Sequence, residues 1–414
     1  MSSVEPDDLT SLANQLFPTE DPGPGVPAQP MADAELIDDS AFRQAFNEPL
    51  ARTLDMSTWP RGGDMVALYH QLEQEIGAAT RAEQSHIDAV RRKVLPDIAG
   101  RPGRPEQAGV YHLSLDDLRR AHQTILFNGG VEACRGTVAS HDTLALTVTQ
   151  LGVSLVNYQG DRGTWGHRLF RRDLRFSAGD VEDLALNVIR QRQAGAAEDS
   201  AAEHRLSNLA RRGILSYAER SALTDQATAP WRLGSGNPIP YELITGGGSM
   251  ELAQRSIELL DRLINRHRKF VFVSPDTRER GLLTIGHALR PLEYAIVDDG
   301  LLRLRSLVDR AHYSRRERAL IETFAAETGP LLRLGVYRAS EIGPPRLFYG
   351  HQDHIHEAAL VAIADSVLHE HRAFPMLLDL AEQVCRGMFP ASELADTTRL
   401  AYLDAGAHPR YGLD

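Results

Sequence analysis

Four groups of residues in this sequence have types and spacing suited to chemistry on a phosphate or a metal ion. The first is acidic. Glu219 lies in LSYAERSAL, a helical stretch where Leu215 and Ala222 share its face, so its side chain is expected to point inward. Asp379 and Glu382 are three apart on a second helical stretch and therefore lie on one side of it. Two-metal phosphodiester hydrolysis needs acidic oxygens converging from several elements on Mg²⁺ or Mn²⁺. Taken singly, each of these is also an ordinary surface charge.

The second group is basic. Arg168, Arg171, Arg172 and Arg175 fall within HRLFRRDLRF, on a predicted strand. Arg168, Phe170, Arg172, Leu174 and Phe176 share one face, and Arg171, Asp173 and Arg175 the other. Such a run suits the phosphate backbone of DNA. Asp173 and nearby acids are the competing partners. The third group is His351, His354 and His356 with Asp353 and Glu357. These are metal-capable ligands, but their spacing matches no common zinc signature, and at a helix start they serve equally as caps or solvated groups. The fourth is Gly246, Gly247, Gly248 and Ser249. A glycine turn opening a helix can present N–H groups to phosphate. TGGGSM lacks both the GK[ST] ending of a phosphate loop and the dinucleotide fingerprint, and a purely structural turn is the other reading.

Elements must carry these groups. Ile239 to Ile264 reads as a short apolar strand, the glycine turn and an amphipathic helix, with Leu252, Ile257, Leu260 and Ile264 at helical spacing and Ser249 as its cap. Phe270 to Val273 follows as another strand. Strand, helix, strand implies a right-handed crossover in an α/β sheet flanked by helices, with a site at the carboxyl end of the first strand, at Thr245.

Further along the chain, residues 1–60 read as a disordered, acidic, proline-rich tail and 61–128 as a helical extension. The extension holds a long helix from Asp64 to Val94 and a capped helix beginning at Ser114. Residues 143–176 are β-rich, in two runs split near Gly152. Helices are expected over 178–194 and 202–227, then strands near 292–306, 331–337 and 346–349. Two closing helices carry apolar stripes, and 393–414 is expected to be a tail.

The 414 residues are 42% hydrophobic and 24% charged, a soluble globular composition. No apolar run approaches membrane-spanning length, so no membrane association is expected. Cys134 and Cys385 are the only cysteines and form no CxxC pair, which fits a reducing cytoplasm. The net charge of −11 argues against an evenly basic nucleic-acid binder, though a local basic surface suffices. Lys93 and Lys269 are the only lysines, so nearly all positive charge is arginine, the residue suited to bidentate phosphate contact.

Over roughly residues 130–388 the sequence resembles the NurA nuclease family. CRGT followed by VASHDTLALTV resembles the family's first strand, with Arg135 where a metal-binding aspartate would be. AERSAL resembles the helix that carries a glutamate, here Glu219. LITGGGSM resembles the second Asp-Gly motif, with Thr245 in place of the aspartate. AFPMLLDLAEQV, with Phe374, Pro375 and Glu382, resembles the final ligand-bearing helix. The resemblance implies an RNase H-like mixed sheet flanked by helices over 129–392, DNA as substrate and a HerA-type hexameric ATPase as partner. The expected assembly is a homodimer. If the chain is active, the resemblance implies Mn²⁺ or Mg²⁺ held by Glu219 and Glu382, with Asp142 as a third ligand replacing a missing aspartate. If it is inactive, Arg135 and Thr245 make it a silent DNA-binding or scaffold subunit of the same fold. An unrelated hydrolase built on His351, His354 and His356 is the remaining alternative.

Overall fold

The computed structural model describes residues 39–59, 65–142, 146–160, 165–173, 209–276, 279–300, 304–305, 308 and 315–406. Two compact units divide the chain, Met1–Ala78 and Ala79–Asp414. Within the stretch read as a tail lie two short helices, α1 (Asp39–Phe46) and α2 (Leu50–Leu54), with Trp59 donating its indole N–H to the Thr53 carbonyl at 2.8 Å. The long helix α3 (Met65–Lys93) closely matches its sequence pattern. Its last turns belong to the second unit, where Ile87 and Val90 pack on the core and Arg91 grips Glu293 through two hydrogen bonds of 2.8 and 2.9 Å.

The second unit continues with β1 (Gly109–His112), α4 (Leu115–Ala121), β2 (Val131–Asp142), β3 (Leu146–Val156) and β4 (Gly166–Asp173). After the segment 174–208, which lies outside the described residues together with the helix expected over 178–194, come α5 (Ile214–Ser221), β5 (Trp231–Ser235), α6 (Tyr241–Ile244), α7 (Met250–Asp261) and β6 (Phe270–Val273). Then follow α8 (Arg280–His287), β7 (Glu293–Asp299), α9 (Arg315–Thr328), β8 (Leu332–Arg338), β9 (Arg346–His351), α10 (Ile355–Ser366), α11 (Met376–Met388) and α12 (Ala391–Asp404). The start of α4 is a full capping box: Ser114 and Asp117 bond each other's backbone N–H groups.

The nine described strands form one sheet in the order β1-β7-β8-β9-β6-β5-β2-β3-β4. β2, β3 and β4 are an antiparallel meander. β5 adds parallel to β2 on its other side, and β6 adds parallel to β5. A meander followed by two parallel strands beside its first strand is the RNase H-like arrangement. The remaining strands extend it in antiparallel pairs through β9, β8, β7 and β1. Successive β2 residues point to opposite faces, so Ala133 enters one core layer and Cys134 the other. The Cys134 layer holds Leu155, Phe272 and Leu260. The Ala133 layer holds Leu233, Phe348 and α10, which is buried from Val361 through Ser366 and so is apolar nearly all round.

Several expectations need correction. IPYELI is not a strand: Pro240 sits at the N-cap of the short helix α6, and the crossover strand is β5, which lies earlier. β5 reads WRLGS and is buried throughout, so it shows no alternation. Arg232 stays buried within it by donating to the carbonyls of Ala227, Ala229, Pro230 and Leu223. Within TLALTVTQLGVSLVNY, Leu146–Val156 is not split at Gly152 but forms the single strand β3. Gly152 is needed because a Cβ there would lie 2.1 Å from the Phe389 ring. The sheet begins at β1, inside the stretch read as a helical extension, and the closing tail contains α12. No described helix is long and apolar enough to cross a membrane.

Candidate functional site at the sheet fork

β2 and β5 pair only from Val131 to Ala133, after which β2 runs on against β3 alone. A fork opens there at the carboxyl end of β5, the usual site position in such sheets. Beyond the last paired residue, the N–H of Gly136 would lack a strand partner. Glu219 on α5 supplies one: its carboxylate accepts from Gly136 at 2.8 Å. The other Glu219 oxygen accepts from Arg220 at 2.9 Å. Arg220 is buried and also donates to the carbonyls of Asn237 (2.7 Å), Ser235 (3.3 Å) and Pro238 (3.4 Å), with its guanidinium 5.3 Å from the Phe272 ring centre. It thereby joins α5 to the chain leaving β5.

Arg135 precedes Gly136 and points to the opposite face of the sheet. One Nη donates to the Ser235 hydroxyl at 2.6 Å and the other to Glu382 on α11 at 2.5 Å, while its buried Nε has no hydrogen-bond partner among the described residues. Glu382 also meets Arg386 at 2.7 Å. One turn earlier on the same helix, Asp379 lies 3.3 Å from Arg372 and 3.8 Å from His369. Burial would depress the Arg135 guanidinium, but the charges of Glu219 and Glu382 outweigh it and hold the group above its ordinary value. Burial pushes the Glu382 carboxyl up, and Arg135, chiefly, brings it below the usual range. Burial raises Asp379 despite Arg372.

These residues do not fit a divalent cation. A guanidinium bridges Glu382 and the end of β5, and a second cation there would be repelled by it. Glu219 and Glu382 each already hold an arginine. Among the described residues, no three His, Cys, Asp or Glu side chains are grouped to hold a metal.

The fork therefore gathers Arg135, Glu219 and Glu382 from the sequence-predicted set. Asp142 is not near them: it ends β2, seven residues beyond Arg135 and about 23 Å away at the rise of a strand. Thr245 is not at a strand end; Ser235 takes the place expected for it. Gly246, Gly247 and Gly248 form a helix-to-helix joint with φ of 63°, 56° and 92°, a left-handed run that demands glycine. The Gly247, Gly248 and Ser249 N–H groups bond back to Thr245 and Gly246, and Ser249 caps α7 through the Leu252 N–H. Those donors are engaged within the turn itself.

Arg168 and Arg171 are exposed on β4, which ends the sheet, and Arg168 lies 5.8 Å from the Phe170 ring centre. Arg172 pairs through its backbone with Thr147, and Arg175 lies outside the described residues. The histidines diverge. His351 is buried, accepts from the Asp353 N–H at 3.1 Å and is driven down to about 4 by burial. His356 meets the Tyr294 hydroxyl at 3.0 Å, and His354 is edge-on to Trp231. The sequence reading missed Ser235 and Arg220. A strand ending in Gly-Ser-Gly and an arginine adjoining the key glutamate were the available signals.

No protein-family model and no curated protein matches this chain. Among solved structures, it is similar to the NurA nuclease from Sulfolobus solfataricus at 10% identity, covering 82% of this chain and 98% of that one with a TM-score of 0.44. It is similar to NurA with manganese at 8% identity, covering 81% and 99% with a TM-score of 0.39. It is also similar to NurA bound to dAMP and manganese at 9% identity, covering 75% and 92% with a TM-score of 0.34. The sheet establishes an α/β fold of RNase H-like strand order, and NurA structures are among the solved structures similar to it over most of their length.

Proposed function

We propose that this chain is a NurA-like DNA-binding subunit that does not itself hydrolyse DNA through bound metal. One observation carries the reading: Arg135 bonds Ser235 and Glu382 at the fork where the family resemblance expects metal-binding carboxylates. Removing a ligating carboxylate from a two-metal site removes both charge and geometry, and a cation in its place opposes the metal directly. Exposed arginines flank the edge strand β4, Arg168 on one face and Arg171 on the other, and support DNA contact along that edge. The sequence resemblance supplies the proposed partner, a HerA-type ATPase, and any ATP use belongs to that partner.

The test is a nuclease assay on linear single- and double-stranded DNA with Mn²⁺ and with EDTA, beside a binding titration at several salt concentrations. The expected result is salt-sensitive binding without metal-dependent cleavage. Arg168→Ala with Arg171→Ala should lower the slope of log affinity against log salt by about 2. Cleavage that requires Mn²⁺ and is lost in Glu219→Gln would overturn the reading.

A further inference from the structure

The retained acidic residues need an explanation if no metal binds. We infer that Arg135 is a built-in cation that ties three elements together at the fork, and that Glu219 and Glu382 persist as its counter-charges. The inference rests on the silent reading of the same site. Arg135, Ser235 and Glu382 come from β2, β5 and α11, separated by 100 and 247 residues from Arg135 along the chain, so its two hydrogen bonds close long loops. No backbone ladder joins β2 to β5 at this level, because their pairing ends at Ala133.

The charges support the same conclusion. Arg220 answers Glu219, Arg386 answers Glu382 and Arg372 answers Asp379. Arg135 is then the surplus positive charge, bonded to Glu382, within the field of Glu219 and held above its ordinary pKa by both. Such a charge does what a bound cation does for converging acids, but it is permanent and needs no loading. A divalent ion could enter only by displacing it.

Thermal unfolding of the full chain tests this, with and without millimolar Mn²⁺. The wild-type Tm should not change with Mn²⁺ or EDTA. Arg135→Met should lower it by about 3–6 °C, because the half-buried Glu382 loses the nearer of its two arginines and the Ser235 tie is cut. Arg135→Met combined with Glu382→Leu should recover most of that loss, since the pair is then removed together. An Arg135→Asp, Ser235→Asp double variant that stays folded by circular dichroism should gain a Tm rise specific to Mn²⁺. An unchanged Tm in Arg135→Met would overturn the inference while leaving the DNA-binding reading intact. So would stoichiometric Mn²⁺ binding to the wild type that Glu219→Gln abolishes. Should the aspartate variant fail to fold, the methionine pair still decides. Metal-dependent cleavage by the wild type would instead sink the functional reading.

Discussion

Arg220→Met is expected to reduce the unfolding free energy of the Ala79–Asp414 unit by about 3–5 kcal/mol, the usual cost of leaving one partner of a buried ion pair alone. The Arg220 side chain is 4% exposed and that of Glu219 15%, so solvent screens this pair little. Desolvation depresses the Arg220 guanidinium, and Glu219 opposes that most strongly. The methionine would fill much of the volume beside Phe272 but would leave the carbonyls of Ser235, Asn237 and Pro238 without their donor. Arg220→Lys should recover little, because one ammonium cannot reproduce the planar fork that spans Glu219 and these carbonyls. Urea denaturation checks it: the midpoint should fall while the slope with denaturant stays constant. A loss under about 1 kcal/mol would mean that the α5–β5 junction does not depend on this side chain.

The same residue shows why the site was only half legible in the sequence. Glu219 could be picked out by its place on an inward helical face and by the AERSAL resemblance. Its partner could not, because an arginine beside a glutamate on a helix normally points away from it into water. Arg135 was identifiable as a departure from the family's aspartate, but its contacts with Ser235 and Glu382 depend on tertiary distance alone. The strand end expected at Thr245 lies ten residues earlier, at Ser235, because IPYELI is apolar while the strand itself, WRLGS, carries a buried arginine and a glycine. Hydrophobic pattern finds strands whose side chains meet other side chains; β5 instead satisfies Arg232 with backbone carbonyls, which leaves no mark in the sequence. The closing helix α11 was readable because its apolar periodicity reports burial directly. β6 and α10 were readable as unbroken apolar runs, and α3 from its helical pattern, although its Met65, Leu68, Leu72 and Ile76 stripe stays exposed. The histidines misled for the opposite reason. Their spacing is short, but the bend from β9 into α10 sends His351 into the core and His356 toward Tyr294.

Asp365→Asn should remove the loss of stability that a buried, raised carboxyl brings as pH rises from about 4 to about 6. Asp365 on α10 is fully buried, accepts from the Leu377 N–H at 2.9 Å at the start of α11, and accepts from the Tyr158 hydroxyl. It therefore helps set the start of the helix that carries Asp379 and Glu382. Burial raises its carboxyl to about 6, against the lowering effect of Tyr158 and Leu377, and Asp379 adds to the rise. The sign follows from linkage. An acid with a raised folded pKa adds stability below its unfolded value, near 3.9, and that stability is lost as pH rises through about 6. A carboxyl lifted that far carries about 3 kcal/mol of pH-dependent stability. His351, held down at about 4, acts in the opposite sense: its neutral form favours the fold above the usual histidine value, and that stability fades as pH falls toward 4. The wild-type curve alone would mix the two, but the difference between wild type and Asp365→Asn isolates the carboxyl. An asparagine oxygen can still accept from Leu377, while its amide N–H can donate to the Tyr158 oxygen once that hydroxyl turns. Urea unfolding at closely spaced pH values should give a stability difference, variant minus wild type, that grows by about 2–3 kcal/mol from about pH 4 to about pH 7 and is flat beyond. A difference that stays constant across that range would show that Asp365 is ionised throughout. Charge at the base of α11 would then have to be balanced by groups other than its two hydrogen-bond donors.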